Sequence, residues 1–109
     1  MKAFNVGFAD YGVELTHHFS SGVYAKETRI PAGLKIQQHS HTFDHMSLLA
    51  SGRAQVTSNV AKGVFEGPAV IHMPAGTEHE IEALTECSWF CIHATDQTDP
   101  DKIDAELVA

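Results

Sequence analysis

The sequence predicts an all-β domain, a sandwich or barrel, followed by one short C-terminal helix. Turn signals recur at short intervals: Ser20-Ser21-Gly22, Pro31-Ala32-Gly33, Ala50-Ser51-Gly52, Gly67-Pro68 and Pro74-Ala75-Gly76. Between them lie stretches of roughly 8 to 14 residues with strand-like alternation or β-branched content, the cadence of an all-β fold. Helix-start chemistry gathers in the tail, where Asp99 and Pro100 precede an i, i+4 apolar pair, Ile103 and Leu107.

Length and charge bound the rest. The 109 residues suffice for one domain. At 43% hydrophobic and 19% charged residues the chain reads as globular. Seven Lys and Arg against fourteen Asp and Glu leave a formal charge of -7. That balance repels phosphate backbones and anionic lipid, so neither a nucleic acid nor a membrane is an expected partner. No apolar run approaches the ~20 residues of a membrane span, and the N-terminus has no apolar stretch of signal-peptide length. The expected address is the cytoplasm.

Taken in order, the elements read as follows. His17 and His18 fall in a polar N-terminal stretch and read as surface residues. After the first turn, Tyr24, Lys26 and Thr28 share parity with Ile30 on a strand and are candidates to line an interior pocket. Further on, Ile71 and Met73 should face the core, which turns His72 outward or onto an interface. In Glu78-His79-Glu80-Ile81-Glu82-Ala83 three glutamates take one face while His79, Ile81 and Ala83 take the other. Carboxylates are costly to bury, so the glutamate face is wet and His79 points inward. The ordinary reading of such a histidine is a hydrogen-bonded core residue; what sets His79 apart is its company.

Cys87-Ser88-Trp89-Phe90-Cys91-Ile92 has strand composition. Four residues of extended chain separate the two thiols by ~13 Å, beyond disulfide reach. The same extension argues against one ion shared by Cys87, Cys91 and His93. Trp89 and His93 are further candidates for the pocket wall. The segment 96–109 holds five acids and one lysine and reads as a solvated terminal helix or frayed tail.

Eight histidines are the compositional anomaly. His39 and His41 stand two apart, so on a strand they leave one face with Cβ atoms ~6 to 7 Å apart, close enough to converge on one ion. His45 follows after three residues, room for a tight turn. A hairpin there would bring His45 opposite the pair, and His79 would supply a fourth nitrogen.

In this arrangement the residues resemble the cupins. The family's first motif is Gly, five residues, His-x-His, three or four residues, Glu, six residues, Gly. This chain has Gly33, five residues, His39-Ser40-His41, three residues, His45, six residues, Gly52. The second motif is Gly, five residues, Pro-x-Gly, two residues, His, three residues, Asn. Here Gly67 is followed by six residues, Pro74-Ala75-Gly76, two residues, His79, three residues, Ala83. The resemblance spans about Tyr24 to Ala94, with the acidic tail beyond it in a single 1–109 domain.

The resemblance implies a double-stranded β-helix, a jelly-roll barrel whose mouth holds one metal on inward histidines. It implies His39, His41, His45 and His79 as ligands of a divalent ion, and a homodimer through sheet faces or exchanged terminal strands. Three departures bear on this. His45 replaces the usual glutamate, which leaves neutral imidazoles and the metal's full charge. The second motif is one residue longer after Gly67, so a bulge or shifted strand start is expected, and Ala83 replaces the usual Asn. Imidazole suits Fe, Mn, Ni, Cu or Zn and weakens the case for Mg or Ca. Asp44, beside His45, would be the nearest carboxylate, but strand parity points it away from the pocket.

Three functions follow as expectations. The first is a metal-dependent dioxygenase acting on a small organic molecule that chelates the ion, since no other acid–base pair is visible. The second is a non-catalytic barrel that binds a small ligand or uses a closed four-His zinc site structurally. The third is a metal-dependent isomerase or lyase, for which no base can be named.

Overall fold

The computed structural model of the chain describes residues 2–8, 12–38, 45–58, 62–73, 76 and 78–107. Among these described residues ten strands and one helix follow each other: β1 (Lys2–Phe8), β2 (Glu14–Ser20), β3 (Val23–Ile30), β4 (Lys35–Gln38), β5 (His45–Ser51), β6 (Arg53–Ser58), β7 (Lys62–Glu66), β8 (Ala69–Met73), β9 (His79–Ala83), β10 (Cys87–Ala94) and α1 (Pro100–Leu107). The strands form a six-stranded sheet, β1-β2-β3-β10-β5-β8, and a four-stranded sheet, β4-β9-β6-β7. Every pairing is antiparallel.

Local chemistry explains the turns. Between β2 and β3 only Ser21 and Gly22 intervene, both at positive φ (50° and 76°), as a two-residue hairpin with right-handed strand twist requires. Gly52 sits at φ 93° between β5 and β6. A Cβ there would run into the carbonyl oxygen of Glu86 and lie 2.9 Å from Cys87 Sγ, so the position accepts only hydrogen. Gly67-Pro68, joined by a cis peptide bond, connects β7 to β8. The β5–β8 ladder then runs without a bulge from Ala69 to Met73.

Alternation gives each sheet a dry inner face. Ile30, Leu49, Cys87 and Trp89 from the large sheet pack against Ala54, Val56, Ile81 and Ala83 from the small one. These residues meet between the sheets and form the main core. A second cluster, Phe19, Tyr24 and Ile103, joins α1 to the β2–β3 hairpin. Asp99 accepts a hydrogen bond from the Asp101 backbone N–H through Oδ1 (2.9 Å), the N-cap that the sequence announces. Ile103 is fully buried, so the tail is a docked helix rather than a solvated or frayed one.

Strand β4 pairs with β9 in the small sheet, while β5 pairs with β10 and β8 in the large one. The turn expected between His41 and His45 lies outside the described residues. One further expectation is corrected. His17 is buried at 4% exposure rather than on the surface, because its pairing with Lys26 on β3 places it on the Phe19 face. The large sheet also extends beyond the motif-bearing segment by taking in β1 and β2.

Candidate functional site

The connections bring the motif-bearing strand ends to one end of the barrel. Strand β5 runs away from that end, Gly52 turns the chain, and β6 returns to it. Strand β4 stops there at Gln38, β8 stops at Met73, and β5 and β9 begin there at His45 and His79. The register pairs Gln38 with His79, His79 with Ser58, and His45 with Met73. Of the four candidate ligands, His79 is described in full. It is buried at 7% exposure, on the same face as Ile81 and Ala83, while Glu80 and Glu82 lie on the other face as the sequence requires. His45 is placed by its backbone, in step with buried Ser47 and Leu49 along β5. His39 and His41 lie outside the described residues, as does Asp44.

The candidate pocket residues share the inward face of the large sheet. Tyr24 is fully buried, Thr28 is buried, and Lys26 between them is half-buried. Across the ladder Tyr24 pairs with His93, Lys26 with Cys91 and Thr28 with Trp89. One residue beyond the Ile92–Met46 pair, β10 carries His93 and β5 begins at His45. Parity alone left the face of His93 open; its partner Tyr24 decides it. His72 is exposed, on the outer face, as Ile71 and Met73 predicted for it.

Several polar contacts punctuate this face. His17 Nδ1 lies 2.6 Å from the Tyr24 hydroxyl, and their rings stand 5.6 Å apart. Ser47 Oγ lies 3.8 Å from Cys91 Sγ. Trp89 is fully buried and its Nε1–H has no hydrogen-bond partner among the described residues. Sequence reasoning put His17 on the surface and passed over Ser47, although Ser47 shares its alternation with His45 and Leu49. On the opposite face His18 Nε2 meets Glu27 Oε1 at 2.8 Å.

Both cysteines are free thiols. Burial pushes the Cys87 thiol up from its usual range, the nearby Glu86 carboxylate adds to this, and a hydrogen bond with the Thr85 backbone works against it. Its Sγ donates to the Arg53 and Thr85 carbonyl oxygens, each at 3.2 Å. Among the described residues no group of three His, Cys, Asp or Glu is placed to hold a metal ion, the Cys87, Cys91 and His93 set included. The donor chemistry at the mouth nonetheless suits a transition metal: a buried imidazole on a face without carboxylates among the described residues, with a second histidine, His45, beginning a strand of the other sheet.

No family model matches the chain, and no curated protein does. Solved structures do. A cupin-2 domain protein of Rhodospirillum rubrum superposes with a TM-score of 0.73 at 12% identity, covering 89% of this chain and 72% of that one. KdgF from a Halomonas species gives 0.70 at 15% identity, over 89% of this chain and 90% of its own. A cupin superfamily protein from Desulfitobacterium hafniense gives 0.62 at 18% identity, over 87% and 79%. No described helix is long and apolar enough to cross a membrane. With two antiparallel sheets joined as a jelly roll and these structural likenesses, the chain has the cupin fold.

Proposed function

We propose that the barrel mouth holds one divalent transition metal on His39, His41, His45 and His79, and that the protein is a dioxygenase-type oxidoreductase of a small organic molecule. The observation that carries this reading is the buried His79 at the start of β9, directly across the register from Gln38, the residue that precedes His39. Alternation continued from Ile36 would put Gln38, not His39, in step with His79. The reading therefore needs a one-residue slip after β4, as a β-bulge provides. A metal bound by neutral imidazoles would supply Lewis acidity and access to O2 chemistry. The chain's own residues would hold it, exclude water through the Ile81 and Trp89 core, and orient substrate along the β3 and β10 wall.

The test is elemental analysis of untagged protein, followed by oxygen uptake with small chelating substrates such as diketones, thiols and phenols. About one equivalent of Fe, Mn, Ni or Cu per chain, with O2 consumption, supports the reading. His79→Ala should lower metal content sharply. Full metal in that variant refutes the ligand assignment. A four-coordinate zinc without exchangeable water supports the alternative, a non-catalytic barrel that binds metal or a small ligand.

We also propose that the chain pairs with a second copy through the outer face of β8, β5 and β10. Val70 is 67% and Met46 50% exposed there, beside His72, Leu48, Phe90 and Ile92. The outward positions of these three strands carry no Asp, Glu, Lys or Arg. Two chains of charge -7 can meet at such a face without bringing like charges together. Light scattering should give the dimer mass for the wild type and the monomer mass for Met46→Glu/Val70→Lys. A monomeric wild type, or a dimer indifferent to these changes, overturns the proposal.

A further inference from the structure

The inward face of the large sheet has an excess of donors. Among the side chains described on the inward faces of both sheets, Lys26 is the only one with a permanent charge. It is half-buried between Tyr24 and Thr28, opposite His17 on β2 and Cys91 on β10. It has no hydrogen bond or ion pair among the described residues. Taking an ammonium partly out of water is costly unless a counter-charge compensates. Acids outnumber bases two to one in this chain, yet the acidic side chains described on the sheets all lie on outer faces.

Trp89 supplies a second unmatched donor. It lies diagonally across the β3–β10 ladder from Lys26, because Lys26 pairs with Cys91 and Trp89 with Thr28. Such diagonal positions are ~7 to 8 Å apart, within the span of one small molecule. The buried indole N–H lacks an acceptor among the described residues, and a donor in that state ordinarily has a partner that completes it. Two donors on neighbouring rows, with no acid beside either, call for a ligand that brings oxygen acceptors and negative charge. A single ammonium and an indole N–H suit one carboxylate. A phosphate ordinarily draws arginines or a nest of backbone N–H groups.

We propose that Lys26 is the charge-selecting residue of the barrel pocket and that the molecule taken there is a small carboxylate. The proposal rests on the reading of the barrel as a small-molecule site and names the class of molecule. It needs no particular metal.

Trp89 is the chain's only tryptophan, so its fluorescence reports on this wall directly. Acetate, malonate, succinate and benzoate, each beside its amide, and inorganic phosphate are titrated into metal-free and zinc-loaded protein, with calorimetry as a second readout. The same series is run on Lys26→Gln and Lys26→Arg, with thermal midpoint and metal content measured for each. At least one carboxylate should bind wild type, about tenfold more weakly to Lys26→Gln, with Lys26→Arg restoring most of the affinity. The matched amide should bind about tenfold more weakly than the acid. A purely structural lysine would move the midpoint without separating acid from amide. Carboxylate affinity unchanged in Lys26→Gln, binding of amides or phosphate alone, or no carboxylate bound by either form overturns the proposal. Lys26-dependent binding to protein that takes up no zinc keeps this proposal and removes the metal reading; full zinc without carboxylate binding does the reverse.

Discussion

His17 Nδ1 and the Tyr24 hydroxyl stand 2.6 Å apart across the β2–β3 ladder, both residues buried. The contact ties an imidazole from the N-terminal strand to the wall that also carries Lys26 and Thr28. Tyr24→Phe keeps the ring packed against Phe19 while deleting the hydroxyl. It should cost about 1–3 kcal/mol in chemical denaturation, because a buried ring nitrogen loses a partner. A loss under about 0.5 kcal/mol would mean that this bond contributes little to stability.

Helix α1 is held by its cap and one anchor. Ile103→Ala removes a fully buried side chain from the cluster with Phe19 and Tyr24 and should cost about 2–4 kcal/mol. Asp99→Ala, which deletes the cap to the Asp101 N–H, should cost about 1 kcal/mol. Limited proteolysis between Ala94 and Pro100 should accelerate in both variants, more in the first. Equal cleavage rates in wild type and variants would contradict the docked helix.

Gly52→Ala should be among the most damaging single-methyl additions to this chain. A φ of 93° alone costs a side-chain-bearing residue about 1–3 kcal/mol, and the new Cβ collides with the Glu86 carbonyl oxygen. Gly33→Ala, also at positive φ (86°) but with nothing within 4 Å of its Cβ, isolates the backbone part. Thermal melts of the two variants should therefore differ, with Gly52→Ala lower.

The raised Cys87 thiol fixes the direction of one pH effect. A group that holds its proton more tightly when folded stabilises the fold below its unfolded pKa. That contribution fades as pH rises toward the folded pKa. Denaturation midpoints should thus fall through the alkaline range in wild type, and fall less in Cys87→Ala once its lower starting stability is subtracted. Identical pH slopes would exclude Cys87 as the cause. Thiol reagents at neutral pH should reach half-buried Cys91 before Cys87, which is 1% exposed.

How much of this was legible depends on whether a decision is local. The β9 face was readable because glutamates alternate with His79, Ile81 and Ala83, and water sorts those groups without reference to any partner strand. The parity of Tyr24, Lys26 and Thr28 with Ile30 was readable for the same reason. The face of His17 and that of His93 were not, because two adjacent half-polar residues fit either side until a partner strand chooses. The partners of β4 and β5 were equally hidden, because only the register draws the first to β9 in the small sheet and the second to β10 in the large one. At the candidate site, sequence alone gave the inward turn of His79. The neighbourhood of Lys26, Cys91 and Trp89 emerges only from the register.

Strand β10 lies between β3 and β5 in the large sheet, although it is the last of the described strands. During synthesis the sheet therefore exists as two unconnected pieces, β1-β2-β3 and β5-β8, until residues 87–94 have left the ribosome. Each piece presents an open edge that its partner strand has yet to cover, a period of exposure to mispairing with other nascent chains. Insertion of β10 seals both edges in one event and brings Trp89 into the core with it. Completion of the large sheet thus waits on β10.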